Sequence, residues 1–467
     1  MNPGGGNRHR VSNPAPWTRL GYHDMLVLVA HCGLGEGPLH LLRGIWYSCV
    51  LFKHNGLKLY DVQTEMPKRG DWIRVVVIKI FGERFRKWGE GLLGIPVSEV
   101  GTLVPGVVLT TVLLGISLFL GQILEFEIVE GVDINIPAVI LALLLGIILG
   151  NVFTVPNSVR PGIKFSRGIL LKVGIVLIGI RLAIGDVFKL GLMGLPIIIG
   201  CIGTALLVTY FLSNKLNQSR RLGSLIAVGT SICGISAILA TSTAIEATEE
   251  ETAYAIAVIT FFGLVAVLIY PILGHILFVG DPTKVGLWLG TSIQDTSQVV
   301  GAALIYSQVW DSPAALDIAS LTKVIRNVFM IIIIPLVAIA YSEGIQRTSE
   351  ISLKGHLGLG RMGRDYFQYF PKFIIGFLIL SMVRTIGDWE IGRGGNAYWV
   401  IDQVEWVQMI SSVEMVSNGL FIVALAGVGL STKLQKIRDL GPQSFLIGFI
   451  TVVAVGLISF FVINMTV

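Results

Sequence analysis

Long apolar stretches dominate the chain after residue 102, and short polar loops separate them. A helix needs about 20 mostly apolar residues to cross the hydrocarbon core of a bilayer. The pattern therefore predicts an all-α polytopic membrane protein with eleven transmembrane helices. The predicted spans cover residues 103–124, 135–153, 166–184, 191–212, 222–245, 252–277, 284–307, 318–341, 366–384, 404–430 and 442–465.

The first 102 residues have a different pattern. Their apolar stretches, 25–34 and 39–52, are too short to span, and the second contains Arg43. The polar start has no apolar h-region of a signal peptide. We expect residues 1–102 to form an N-terminal cytoplasmic region at the membrane surface and residues 103–467 to form the transmembrane transporter domain. A twelfth span or a hairpin within the first region is the alternative.

Composition narrows the functional class. The chain is 53% apolar and 14% charged, whereas soluble domains carry about 25% charged residues. This excludes a soluble enzyme, a disordered chain and a nucleic-acid binder. The four cysteines form no CxxC pair and the seven histidines show no metal-ligand spacing. We therefore expect no metal, no cofactor and no catalytic residues.

The charge of the loops predicts the orientation of the spans. Basic loops at 154–165, 213–221 and 431–441 alternate with acidic or neutral loops, including the run from Glu246 to Glu251. Cytoplasmic loops are enriched in Lys and Arg. Eleven spans then place the N-terminus in the cytoplasm and the C-terminus outside.

Two internal echoes suggest inverted repeats, a common feature of transporter folds. The segment from Gly179 to Gly191 resembles the segment from Gly429 to Gly441, and Gly229-Thr-Ser-Ile resembles Gly290-Thr-Ser-Ile. The predicted topology gives the second pair the same direction. The same direction is incompatible with an inverted repeat unless one of the two Gly-Thr-Ser-Ile segments is re-entrant. For the first pair, the alternative is a coincidence of glycines.

The first candidate site lies inside the fifth predicted span. Small and hydroxyl residues interrupt the apolar pattern there: Gly229, Thr230, Ser231, Gly234 and Ser236. Glycine permits a helix break, and the N-terminus of a half-helix offers free N–H groups to an anion. The alternative is close packing of helices through small residues.

The second candidate site lies inside the seventh predicted span. The candidate binding and coupling residues in this polar segment are Thr291, Ser292, Gln294, Asp295 and Ser297. So many polar groups near mid-span indicate a water-filled cavity. Asp295 is a candidate coupling carboxylate for H⁺ or Na⁺, and a structural ion pair is the alternative.

Basic residues inside spans are candidates for anion binding. Lys172 and Arg181 lie in the third span, and Lys323 and Arg326 lie one turn apart in the eighth. Snorkelling to the membrane surface is the alternative for the last three. In the tenth span, polar residues around Glu414 predict a further broken helix and a second coupling carboxylate, or else a frayed helix end.

Four motifs together resemble the YeiH-type family of sulfate exporters. They are Gly168–Leu182, Thr230–Ile238, Glu249–Ile256 and Gly290–Gly301, with the Lys323 and Arg326 spacing as further support. The resemblance implies a multi-pass protein of the bacterial inner membrane. It also implies kinship with the cation/proton antiporter and anion transporter superfamily, which has inverted repeats and broken helices. Position 294 is Gln where the family often has His, so a proton role for that His is absent here.

The sequence thus predicts a secondary active transporter of a small anion, sulfate or a related oxyanion, working by alternating access coupled to H⁺ or Na⁺. The partners expected are this anion, the coupling ion and the lipid bilayer, with a homo-oligomer left open. One alternative is a cation/proton antiporter that uses Asp295. The other is a non-transporting membrane protein.

Overall fold

Helices fill the apolar stretches of the chain. In the computed structural model they are α1 Val104–Ile123, α2 Ala138–Val152, α3 Arg160–Phe165, α4 Leu171–Ile178, α5 Ile184–Lys215, α6 Arg220–Ser231, α7 Ile235–Ala244, α8 Glu249–Leu277, α9 Pro282–Ser292, α10 Thr296–Val309, α11 Pro313–Val328, α12 Met330–Gln346, α13 Phe373–Gly392, α14 Gln403–Ser431 and α15 Pro442–Thr466. A π-helical turn, Ser166–Leu170, joins α3 to α4, and the 3₁₀ turn Gly179–Arg181 follows α4.

The structure describes residues 97–124, 126–129, 132–134, 136–346, 371–433, 435 and 441–467. The predicted N-terminal region falls almost entirely outside these residues, so its boundary at residue 102 stays a prediction.

A short pair of strands occupies the loop between α1 and α2. Strands β1, Phe126–Val129, and β2, Val132–Ile134, pair antiparallel, with Phe126 opposite Ile134. Apolar and acidic residues alternate here, which is the period of a strand rather than of a helix.

Long apolar helices identify a helical membrane protein. Five helical segments are long and apolar enough to cross a bilayer: Val100–Ile123, α5, α8, α14 and α15. The pair α11 and α12, bent by 41°, makes a sixth if it is taken as one span. The described residues therefore do not support eleven full crossings.

One reason is that the fifth predicted span turns back on itself. α6 and α7 are about 18 and 15 Å long, yet the chain returns to the end of the helix bundle where α6 began. There the Ser219 hydroxyl donates a hydrogen bond to Glu251, just after α7. Leu222 at the start of α6 and Ile245 at the end of α7 also share one apolar cluster. The two helices form a re-entrant hairpin, which we name hairpin 1.

The seventh predicted span also turns back, from the opposite end of the bundle. The Tyr306 hydroxyl near the end of α10 donates to the carbonyl of Gly280, just before α9, over 3.4 Å. The His275 ring at the end of α8 stacks on Trp310 at a centroid distance of 4.4 Å. We name α9 and α10 hairpin 2. Because α8 separates the hairpins and crosses the bundle, the two Gly-Thr-Ser-Ile segments run in opposite directions.

Hairpin 1 corrects the predicted position of the acidic loop. The run from Glu246 to Glu251 was expected on the side opposite the basic loop 213–221. The hydrogen bond between Ser219 and Glu251 instead places both loops at one end of the bundle. The alternation of loop charges predicts the wrong side for the acidic loop because a re-entrant hairpin returns the chain to the side it left.

Two glycines allow α9 to pack closely against α11. α9 lies along α11 in the same direction. A Cβ on Gly286 would meet the carbonyl of Ala315 at 2.9 Å, and one on Gly290 would meet that of Ala319 at 2.8 Å. This close approach, repeated after one turn, brings the C-terminal end of α9 level with the residues that follow Thr322 on α11.

The predicted break in the tenth span is wrong. α14 is continuous from Gln403 to Ser431, across Glu414 and Gly419. Two of the serines here donate to backbone carbonyls without any break in the helix. Ser412 donates to the carbonyl of Gln408 one turn earlier, and Ser417 donates to the carbonyl of Gly174 on α4.

Cysteine labelling tests hairpin 1. In a chain whose four native cysteines are replaced by serine, Asn214→Cys and Glu250→Cys should react with a membrane-impermeant maleimide from the same side of a sealed vesicle. Ala314→Cys, at the start of α11, is the control and should react only from the other side. Labelling of Asn214→Cys and Glu250→Cys from opposite sides would show that the fifth predicted span crosses the membrane.

Candidate functional site

The two hairpins meet where their helices are interrupted. Ile232–Gly234 separates α6 from α7, and Ile293–Asp295 separates α9 from α10. Gly234 has φ +67°, a left-handed conformation that L side chains rarely adopt. A Cβ on Gly234 would lie 3.2 Å from Asp295. Glycine is therefore needed here for both its backbone conformation and its small size.

Each interruption leaves the last carbonyls of a helix without intrahelical partners. Lys323 on α11 satisfies carbonyls from both hairpins. Its Nζ donates to the carbonyl of Ile232 at 2.8 Å in hairpin 1, and in hairpin 2 to those of Ile293 at 3.0 Å and Gln294. One ammonium group thus links the two interruptions.

Arg326, one turn further along α11, makes the same kind of link. Its Nε donates to the carbonyl of Ser231 at 2.8 Å, and its Nη2 donates to that of Thr230. Its Nη1 donates to the carbonyls of Thr291 at 2.7 Å and Ile293 at 3.1 Å. The planar guanidinium has five N–H donors in a fixed fork, which suits two helix ends at once.

Lys323 and Arg326 are both 0% exposed, so neither snorkels to the surface. Within the described part of the chain neither forms an ion pair with a carboxylate. Their counter-charges are the negative ends of two helix dipoles, each about half a charge. The positive N-terminal ends of α7 and α10 lie at the same junction and offset these negative helix ends. The remaining balance at the junction is two cations, Lys323 and Arg326, against one carboxylate, Asp295.

A cavity of about 1480 Å³ reaches this junction. Its lining at the junction includes Cys233, Ser236, Asp295, Ser297 and Asn327. Five cationic residues also line it: Lys164, Arg167, Lys172, Lys372 and Lys433. Asp295 is the one carboxylate among the described lining residues. The field in the cavity therefore favours an anion over a cation.

Polar groups at the inner end of the cavity retain unused hydrogen-bonding capacity. The Asn327 amide donates to the Thr296 hydroxyl at 3.3 Å, and the Gln298 amide donates to the Thr260 carbonyl at 3.2 Å. Within the described structure, Oδ1 of Asn327, Oε1 of Gln298 and Oγ1 of Thr260 have no partner. α7 begins beside them with no side-chain cap on its N-terminus. This inner end can contact a polar solute.

Four of the residues predicted from sequence line the cavity, and Gly234 forms the junction beneath it. The lining residues are Ser236, Ser297, Lys172 and Asp295. Asp295 caps α10, because its carboxylate accepts from the backbone N–H of Ser297 at 2.9 Å and from the hydroxyl of Ser297.

The other predicted residues do not line the cavity. They are Gly229, Thr230, Ser231, Thr291, Ser292, Gln294, Lys323, Arg326 and Glu414. The Thr230 hydroxyl donates to the carbonyl of Ile226 at 2.7 Å, and the Thr291 hydroxyl donates to that of Leu287 at 2.7 Å. Ser231 bonds within α6 as well, and the Gln294 amide donates to the Ser292 carbonyl. These groups build the helix ends that Lys323 and Arg326 bind.

Glu414 lies in a different cluster. Its carboxylate is 3.1 Å from the guanidinium of Arg181, which also lies 3.2 Å from the carboxylate of Asp317. Asp295 and Glu414 therefore belong to separate sites.

Sequence reasoning missed several lining residues. In the sequence, Lys164, Arg167 and Lys433 indicate only the charge of loops, although the cavity begins at that end of the bundle. Asn327 follows Arg326 directly, and Thr260 lies in an apolar span with no other polar signal around it. Lys164, Arg167 and Lys433 could be predicted from sequence by expecting the basic loops to lie next to the interrupted helices.

The cavity provides cationic walls, neutral donors and one carboxylate, and this set can bind and release an ion. No group of three or more His, Cys, Asp or Glu side chains able to hold a metal occurs in the described part of the chain.

Comparison with known proteins places the site within a family. Residues 105–448, which include every described residue of the cavity, match the family described as Conserved hypothetical protein 698. A UPF0324 membrane protein of Streptococcus pyogenes serotype M18 is 32% identical over 324 residues, 69% of this chain and 88% of the relative.

Two further relatives are also UPF0324 membrane proteins. A UPF0324 membrane protein of Fusobacterium nucleatum is 31% identical over 322 residues, 67% of this chain and 88% of the relative. One of Nitratidesulfovibrio vulgaris is 29% identical over 347 residues, 74% of this chain and 88% of the relative. No solved structure matches the chain. These matches confirm the family resemblance found in the sequence.

The carbonyl links of Arg326 should dominate local stability. Arg326→Met would leave carbonyls of both hairpins without donors, at a cost of about 1–3 kcal/mol for each buried group. We expect a clearly lower melting temperature for the purified chain. Lys172→Met is the matched control, since Lys172 lies on the cavity wall, and should melt within a few degrees of the parent. Equal melting temperatures for all three chains would contradict a structural role for Arg326.

Proposed function

Because the chain belongs to the membrane-protein family described as Conserved hypothetical protein 698, the YeiH-type family, we propose that it is a secondary transporter of a small anion. The anion is sulfate or a related oxyanion, moved by alternating access and coupled to H⁺ or Na⁺. On this proposal the chain is a carrier and not an enzyme.

One observation carries the proposal. A 1480 Å³ cavity with five cationic lining residues ends at two interrupted helices. Interrupted helices in transporters present backbone groups to a solute near the middle of the membrane. The cationic walls would concentrate an anion from solution, and the hydroxyls of Ser236 and Ser297 would contact it at the inner end.

The arrangement of the hairpins supports alternating access. They enter from opposite ends of the bundle, so their Gly-Thr-Ser-Ile segments have the antiparallel relation that an inverted repeat requires. We therefore propose inverted repeats and kinship with the cation/proton antiporter and anion transporter superfamily.

The basic residues support an orientation in the bacterial inner membrane. Lys164, Lys215 and Lys433 belong to the basic loops that the positive-inside rule places in the cytoplasm. The cavity would then open to the cytoplasm, with the N-terminus on that side and the C-terminus outside.

Asp295 is the coupling carboxylate best placed in the cavity. Its position also favours a second candidate function, a cation/proton antiporter in which Asp295 binds the transported cation. The excess of lining cations over this one carboxylate is the reason that we place anion transport first.

Transport of radiolabelled sulfate by the full chain in liposomes tests the proposal. We expect uptake above that of empty vesicles and its loss in Asp295→Asn. Lys172→Gln should raise KM by roughly threefold to tenfold, because one wall charge is lost.

Lys189→Gln is the charge-matched control for this assay. Lys189 is exposed at the start of α5, away from the cavity, and this variant should transport like the parent. Sodium or proton flux without sulfate uptake would replace the proposal with the antiporter. No flux of any of these ions would leave a non-transporting membrane protein.

A further inference from the structure

A second buried charge cluster lies away from the cavity. One guanidinium nitrogen of Arg181 lies 3.2 Å from Oδ2 of Asp317, and another lies 3.1 Å from Oε1 of Glu414. The side chains of Arg181 and Asp317 are 7% and 11% exposed, whereas that of Glu414 is 34% exposed. The cluster joins the turn after α4 to α11 and α14.

The charges in this cluster do not balance. One cation faces two carboxylates, and Oδ1 of Asp317 is buried with no hydrogen-bond partner in the described structure. A proton on this pair would remove the excess negative charge and supply a donor.

The cluster and the cavity lie on the same three helical segments. Arg181 follows the cavity residue Lys172 by nine residues, and Asn327 follows Asp317 by ten. Helix rise makes each separation about 15 Å. On α14 the cavity residue Val428 lies still further from Glu414. The ion pairs thus join α11 to the other two segments at a level of the bundle well removed from the cavity residues.

The helices packed around the cluster carry other charged groups. Arg384 on α13 pairs with Asp388 at 2.5 Å. α5 contributes Asp186 and Lys189, α9 contributes Lys284, and α10 is capped by Asp295. Lys323 and Arg326 bind carbonyls. Within the described structure, the charged groups in direct contact in this cluster are Arg181, Asp317 and Glu414.

We propose that Arg181, Asp317 and Glu414 form a proton-controlled gate at the end of the bundle opposite the cavity opening. This inference rests on the proposed function and assigns H⁺ as the ion that sets the conformation.

The ionised cluster holds α11 and α14 to Arg181 and keeps that end closed, with the cavity open as observed. A proton on either carboxylate weakens one of the two ion pairs, so the closed end loosens and the cavity side closes. Acidification should therefore reduce access to the cavity.

Access to the cavity can be measured without a transported substrate. Ser236 is exposed and lines the cavity. We would place Ser236→Cys in the full chain, with the four native cysteines replaced by serine, and measure its rate of reaction with a permanently charged methanethiosulfonate reagent in detergent. Rates normalised to a free peptide thiol at each pH remove the titration of the thiol itself.

We expect the normalised rate to fall on acidification, by about tenfold per pH unit on the steepest part, as one bound proton requires. Asp317→Asn and Glu414→Gln each mimic a protonated carboxyl group. Both should react slowly at every pH. Asp388→Asn, which alters the neighbouring ion pair on α13, is the control and should follow the parent.

A flat pH profile of the parent would overturn the gate without any variant. So would a parental pH dependence retained in both Asp317→Asn and Glu414→Gln. If Asp317→Asn does not fold, the more exposed Glu414→Gln decides alone. Sulfate uptake is not part of this assay, so failure of the gate and failure of anion transport give separate results.

Discussion

Every backbone carbonyl buried inside a membrane needs a hydrogen-bond donor, and this requirement explains the centre of the molecule. Two helical hairpins end their first helices in the interior and leave carbonyls without partners. Lys323 and Arg326 supply the donors, and both bind carbonyls of the two hairpins at once. The glycines of α9 permit this, because Gly286 and Gly290 let α11 approach closely enough for its cations to reach both helix ends. The hairpins, the junction and the position of α11 therefore depend on each other.

The bonds from Lys323 and Arg326 to the helix carbonyls also determine which groups face the cavity. Because Lys323 and Arg326 bind the carbonyl ends, the uncapped N-terminus of α7 and the Asp295-capped N-terminus of α10 are left beside the cavity. Cationic residues from α3, the π-helical turn, α4 and the ends of α13 and α14 add positive charge to the walls. An anion is the solute that this field favours. Lys323 and Arg326, which the sequence suggests as ligands, support the junction, whereas basic residues that the sequence suggests only as loop charges line the cavity walls.

Sequence patterns predicted much of this arrangement, and particular residues show where they stopped. Apolar length located the helices, and glycine and hydroxyl content located both interruptions at Gly234 and Asp295. The direction of the hairpins could not be predicted, since a helix that turns back at Gly234 has the same composition as one that continues. α14 shows the opposite failure: Ser412 and Ser417 interrupt the apolar pattern but bond to nearby carbonyls, so the helix stays intact. The roles of Lys323 and Arg326 depend on contacts between segments that are distant in sequence.

Amide hydrogen exchange of the full chain in lipid nanodiscs tests the central claim most directly. If both helices are interrupted beside a water-filled cavity, peptides that cover residues 232–237 and 293–298 should exchange much faster than peptides from the middle of α6, α9 and α11. Protection of those two peptides equal to that of the flanking helices would mean continuous helices without a wet junction, and the account would fail.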